Sequence, residues 1–350
     1  MKKEIAFLKE LTDLRATSGN EGSVREFLRK AYEPVADKTE TDGLGSLIAY
    51  HGEKGPKILA AGHMDEVGFM VRSITKDGFV RFSRCGFFFV CGALSQHFTI
   101  ETEKGDVDAI CSLGPGMEDK EFPKIEDLAL DIGCKSEEEA RELGVRVGDF
   151  IVPKGHFEAL GKDGKYLVNK AWDNRIGCAV ALRVMENLKK TGHRNIFIGA
   201  GTVQEEVGTR GAATLAEAVK PDIAFSVDIG TADDVCGGKK EEASLGKGPE
   251  LTFMDNMTIS NRKLIRFAVE VAEECGIPYQ TSIMKRGGTD ASKFQFANAG
   301  TPVLLVNIPC RYAHTPTTMI HYDDYVNAIK LMTEIVLRLD EKKVKEIRSF

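Results

Sequence analysis

The sequence predicts an α/β fold: a mixed, mostly parallel sheet sandwiched by helices, with a small β-barrel domain inserted into it. Two observations carry this. Short apolar runs of strand length alternate with amphipathic stretches of helical period, the rhythm of a sheet covered on both faces. Between about Gly68 and Lys165 that rhythm gives way to paired strands around Lys76-Asp77-Gly78 and Lys104-Gly105, both hairpin signals. The chain accordingly divides into residues 1–67 with 166–350, which carry the sheet, and residues 68–165, the inserted barrel.

Each element has its own signal. Ile5, Leu8, Leu11 and Leu14 form the stripe of a first helix, and residues 17–21 break it and start a second. Residues 57–61 are all apolar after Lys57 and read as a buried strand. Within the insert, Ser136 and Glu139 make a capping box for a short helix that Gly144 ends. Residues 175–190 are helical through Ile176, Ala179, Val180, Val184 and Leu188. Strands follow at 195–203 and 223–228, then an amphipathic helix at 260–275 stopped by Gly276 and Pro278. A strand at 302–308 and a helix at 325–339 close the chain.

With 350 residues, 42% of them hydrophobic, the chain can build two cored domains. A formal net charge of -6 argues against nucleic acid as a partner. Glu4, Lys9, Glu10 and Asp13 interrupt any apolar leader, and no run is long enough to span a membrane. Eight scattered cysteines without a CxxC pair read as reduced thiols, which places the protein in the cytoplasm.

The chemistry gathers where strands end. Gly62-His63-Met64-Asp65, Gln204-Glu205-Glu206, Val227-Asp228 and Tyr312-Ala313-His314 each follow an apolar run, and Trp172-Asp173-Asn174-Arg175 opens a helix. In α/β sheets ligands bind beyond the carboxyl ends of the strands. Two residues beyond His63, Asp65 can orient the imidazole by taking its second nitrogen. Asp173 reads either as a helix cap or as a carboxylate bridging two cations. On an extended backbone Glu205 and Glu206 face opposite ways, so that one binds metal and the other addresses a metal-bound water. Two adjacent acids after an apolar strand are costly to bury without a cation. Asp228 and His314 complete a set of two imidazoles, several carboxylates and a free acid, which suits a two-metal hydrolase. There, two ions about 3.5–4 Å apart clamp a hydroxide and the oxyanion. Zn²⁺ suits such donors first, and Co²⁺ or Mn²⁺ also fit. Lys285 and Arg286 offer a place for an acidic substrate side chain, or are simply a solvated basic pair.

Six blocks carry a resemblance. They are 61–68 (AGHMDEVG), 169–175 (NKAWDNR), 204–212 (QEEVGTRGA), 246–249 (GKGP), 287–291 (GGTDA) and 310–314 (CRYAH). In content and order the chain resembles the dinuclear-metal aminopeptidases of the tetrahedral (TET) and glutamyl aminopeptidase family. The resemblance implies two divalent ions per subunit, one held by His63, Asp173 and Asp228 and the other by Asp173, Glu206 and His314. It implies Glu205 as general base, Asp65 as the carboxylate orienting His63, and peptides as substrates. It further implies self-association through the inserted domain, commonly into a dodecamer. Residues 112–116, Phe87-Phe88-Phe89 and Ser292-Lys293 depart from the family pattern. Rival readings are a metal-dependent deacylase, an endoglucanase, and a peptide-binding shell without turnover.

Overall fold

A computed structural model describes the chain except for residues 113–122, 240, 285 and 350. The expected departure at 112–116 falls mostly outside the described residues, as does Lys285.

At the centre of the main sheet four strands run parallel, in the order Ile196–Thr202, Lys57–His63, Ile223–Thr231 and Val303–Arg311. Antiparallel strands extend it on both sides. Leu47–His51 and Lys38–Thr41 lie at one edge. Thr318–His321, Tyr166–Asn169 and Glu158–Leu160 continue it at the other. Glu250–Met254 also pairs with Val303–Arg311 and carries Gln280–Ile283 beyond it. This is the mixed α/β sheet the sequence predicts.

Continuous apolar runs form these central strands because both faces are covered. Along Lys57–His63, Ile58 and Ala60 pack into the core shared with the helix Trp172–Thr191. Leu59 and Ala61 point the other way, to the core under the helix Arg210–Val219. Gly62 is required by that packing. A Cβ there would lie 2.5 Å from the backbone nitrogen of Cys178, inside the facing helix.

The insert closes into an antiparallel barrel in the order Gly68–Ile74, Val80–Cys85, Ala129–Asp131, Gly105–Ser112, His97–Thr102 and Phe150–Pro153. Its core is aromatic: Phe69 stacks within 4.5 Å of Phe82, 4.9 Å of Phe88 and 5.5 Å of Phe98, centroid to centroid. Both predicted hairpins are present, and Ser136 caps Glu137–Glu142 through the Glu139 amide.

Two elements differ from expectation. The helix read at 175–190 begins at Trp172, with Asp173 and Asn174 out of helical geometry and a cis peptide bond between them. The closing helix is two helices, Tyr322–Leu337 and Glu341–Arg348. The second is polar apart from Val344 and Ile347, which is too sparse a stripe to read from sequence. All eight cysteines are unpaired. Among the described residues no helix is long and apolar enough to cross a membrane.

Replacing Gly62 by alanine pushes a methyl group into backbone that cannot swing aside. It should cost about 1–3 kcal/mol of stability, read as a lower urea midpoint at unchanged slope.

Candidate metal centre

His63 ends its strand with both ring nitrogens engaged. Nδ1 lies 3.0 Å from the backbone oxygen of Asp65 and 3.4 Å from its Oδ1. The carbonyl can only accept, so Nδ1 carries a proton, and Nε2 faces the crevice. Asp65 thus orients the ring mainly through its main chain. Its carboxylate has another task. Oδ1 accepts from the Glu205 amide at 3.0 Å, and Oδ2 accepts from the Glu206 amide at 3.2 Å and the Ser18 hydroxyl at 2.6 Å.

Those two amides belong to a turn, not to the extended segment expected at 205–206. Gln204 adopts φ +55°, and the amides of Gly208 and Thr209 fold back onto the Glu205 carbonyl. Glu21, which carries no motif of its own in the sequence, accepts from the Gln204 and Gly19 amides and fixes the approach to this turn. The glutamates still diverge. Glu205 Oε2 lies 3.9 Å from His63 Nε2, and Glu206 Oε2 lies 3.7 Å from His314 Nε2.

Asp173 sits between the imidazoles. Its Oδ1 is 3.0 Å from His63 Nε2 and its Oδ2 is 3.0 Å from His314 Nε2. It does not cap the helix, whose cap position is Ala171. Asp228 Oδ1 lies 3.9 Å from His63 Nε2 and accepts the Ile229 amide. The structure therefore brings together His63, Asp65, Asp173, Glu205, Glu206, Asp228 and His314. Arg286 does not join them. It is exposed in the loop leading to Asp290, and among the described residues it makes no hydrogen bond or ion pair with the cluster.

The electrostatics are severe. Burial opposes charge on His63, but hydrogen bonds to Asp173 and Asp65 outweigh it and hold the imidazole well above its ordinary pKa. Burial likewise opposes charge on Asp173, yet His314 and His63 bring it down. The other acids go the opposite way. Burial, then the neighbouring charges of Asp290, Glu206 and Asp228, push Glu205 well up despite His63. Burial and Asp173 do the same to Glu206, and Asp228 is pushed up to about 8. Asp290, whose Oδ2 accepts the Thr202 hydroxyl, is raised to about 6. It lies inside the block 287–291, where nothing in the sequence marks it as part of the site.

These residues fit a divalent cation. One donor atom from each of His63, Asp173 and Glu206 lies within 4.8 Å of the others. Glu206 Oε1 is buried and has no hydrogen-bond partner. A cation would answer both the unpartnered oxygen and the accumulated negative charge.

Beneath the crevice a second buried cluster fixes the loops that carry it. Glu66 Oε1 accepts from Lys170 Nζ and from an Arg175 guanidinium nitrogen, each at 2.6 Å. Arg175, wholly buried, also donates to the carbonyls of Met64 and Leu11.

The family described as M42 glutamyl aminopeptidase matches residues 45–331. The chain belongs to that family. It is 37% identical to the putative aminopeptidase FrvX of Escherichia coli K12, over 99% of this chain and 98% of that protein. A TET aminopeptidase from Thaumarchaeota archaeon SCGC AB-539-E09 superposes with a TM-score of 0.95 at 38% identity, covering 99% of this chain and 100% of that one. The Pyrococcus horikoshii TET1 peptidase, described as assembling into a tetrahedron or a large octahedral shell, gives 0.87 at 34% identity, covering 96% and 99%. A Thermotoga maritima structure titled an endoglucanase also superposes, with a TM-score of 0.79 at 31% identity, covering 98% of this chain and 99% of that one.

One further acid near the site sets a pH dependence. Glu250 pairs in register with Asn307, which pairs with Asp228. Its Oε2 accepts the Ser282 hydroxyl, its Oε1 is unpartnered, and burial pushes its carboxyl up to about 8. Between the ordinary glutamate value and pH 8 the folded protein holds a proton that the unfolded chain releases. Stability from this group is therefore full at low pH and is lost as pH rises through that window, by at most about 1.4 kcal/mol for each pH unit crossed. Glu250→Gln should flatten the alkaline side of the stability profile, measured by urea unfolding from about pH 5 to pH 9.

Proposed function

We propose that this chain is a metal-dependent aminopeptidase that removes amino-terminal residues from peptides. The observation that carries the reading is Asp173, with each oxygen 3.0 Å from a different histidine and Glu205 beside the first of them. In this reading His63, Asp173 and Asp228 hold one divalent ion, and Asp173, Glu206 and His314 hold the other. When bound, two such ions, zinc first by donor chemistry, supply an acidified water and stabilise the charge that develops on the peptide oxygen.

The remaining steps belong to the protein. Glu205 takes the proton of the attacking water and passes it to the leaving amine. Asp65 keeps Glu205 and Glu206 apart and aimed by holding their amides, and it fixes the proton on His63 Nδ1. The free amino group of the substrate brings positive charge to a crevice rich in carboxylates. Assembly belongs to the same proposal: self-association through the barrel into a dodecamer, in the cytoplasm. A solved TET1 dodecamer at 34% identity supports the assembly.

The deciding experiment is turnover of aminoacyl-p-nitroanilides and their amino-blocked counterparts after metal loading. Cleavage that requires the free amine is expected. Cleavage of blocked substrates alone would make the protein a deacylase or endopeptidase instead. Chelation should abolish turnover, and Zn²⁺, Co²⁺ or Mn²⁺ should restore it; metal-free protein of undiminished activity, checked by elemental analysis, would end the proposal. Glu205→Gln should lower kcat by roughly 10²–10⁴-fold with metal content retained.

A further inference from the structure

We infer that Phe87 and Phe89, carried by the inserted barrel, form an aromatic wall that selects an apolar side chain on the first residue of the peptide. The inference deepens the aminopeptidase reading of the same site and stands on it.

The three phenylalanines alternate. Phe88 is fully buried against Phe69 and Phe98 and anchors the loop in the barrel core. Its neighbours point out of that core, with Phe87 52% and Phe89 49% exposed. Their rings meet edge to face at 5.0 Å and present one aromatic face, with the Arg84 guanidinium 5.5 Å from the Phe87 ring centroid. An exposed aromatic pair on a rigid loop is costly to keep in water and marks a contact surface.

Its position says which contact. The Phe87 ring centroid lies 5.9 Å from that of His314. Next to it, Gly86 is pressed onto the site: a Cβ there would stand 2.9 Å from Glu206 Cβ and 3.4 Å from Glu206 Oε2. Gly92 approaches Thr315 as closely, with a notional Cβ 2.9 Å from Thr315 Cγ2. The loop is thus held against the catalytic crevice at both ends, and the aromatic face stands at the crevice mouth. An aminopeptidase places a single residue ahead of the cleaved bond. In the inferred pose the side chain of that residue leaves the crevice on the side of Phe87. Among the described residues Arg286, a member of the basic pair that could choose an acidic side chain, makes no hydrogen bond or ion pair with the cluster, whereas Phe87 lies against His314.

The test is kcat/KM for Leu-, Phe-, Ala- and Glu-p-nitroanilide with the metal-loaded parent, Phe87→Ala, Phe89→Ala and Phe87→Leu. The parent should prefer Leu and Phe over Ala and Glu. Each alanine variant should lose about tenfold or more of the Leu-to-Ala ratio, mainly through KM, and Phe87→Leu should keep part of it. Ratios unchanged in both alanine variants would overturn the wall while leaving the aminopeptidase standing. So would a parent that prefers Glu. A uniform loss on every substrate in Phe87→Ala, with Phe89→Ala unaffected, would overturn it too and reduce Phe87 to a prop for His314. Altered sedimentation with unaltered selectivity would assign the pair to contact between copies and overturn the wall as well. A parent that cleaves only amino-blocked substrates would take down both readings together.

Discussion

Asp173, Glu205, Glu206, Asp228 and Asp290 are carboxyl groups of one buried crevice, and burial together with neighbouring carboxylates raises the cost of ionising all of them but Asp173. Such a gathering is tolerable only where positive charge and donors are fixed in place beforehand. The fold supplies them in layers. His63 and His314 flank Asp173, the only one of the five brought below its ordinary pKa. Backbone amides surround Asp65, which stays ionised at full burial because His63, Ser18 and the Glu205 amide face it. What remains uncompensated is Glu205, Glu206 and Asp228, the groups proposed for a proton or a cation, together with Asp290.

The loops that meet this constraint come from distant parts of the chain, and the Glu66 cluster joins them. Glu66 follows the His63 motif, while Lys170 and Arg175 bracket Asp173. One carboxylate oxygen therefore ties the first motif to the second. Burial lowers the Lys170 pKa to about 8 even with Glu66 beside it, a measure of how dry the region is. Removing one member of such a cluster strands its partners' charge, whereas exchanging the whole cluster for apolar residues need not cost anything. The ions here serve position more than stability.

Much of this is legible in the sequence. The central strands announce themselves because burial on both faces leaves an unbroken apolar run, and the seven metal-type residues sit where those runs stop or just beyond. The barrel is visible through its hairpin turns. What stays hidden depends on contacts far apart in sequence. The spacing of Asp65 points to a role on His63 alone, but its carboxylate holds a turn 140 positions away. That turn itself is unreadable, since Gln204 in the left-handed region follows from the contact with Glu21 and not from its own preference. Asp290 lies in a glycine-rich block that looks like a loop, and only the packing of Thr202 brings it into the crevice. The polar final helix offers just two buried side chains as a signal.

The close approaches of Gly86 to Glu206 and of Gly92 to Thr315 reach beyond substrate choice. The barrel is separable as a stretch of sequence, yet it is not separable as a working part. A barrel transplanted from a relative would have to bring two bare backbone positions at the same spacing, or it would displace the glutamate and the histidine loop it rests on. Exchange of this insert between family members is thereby limited by two hydrogen atoms on glycine, each where a methyl group has no room.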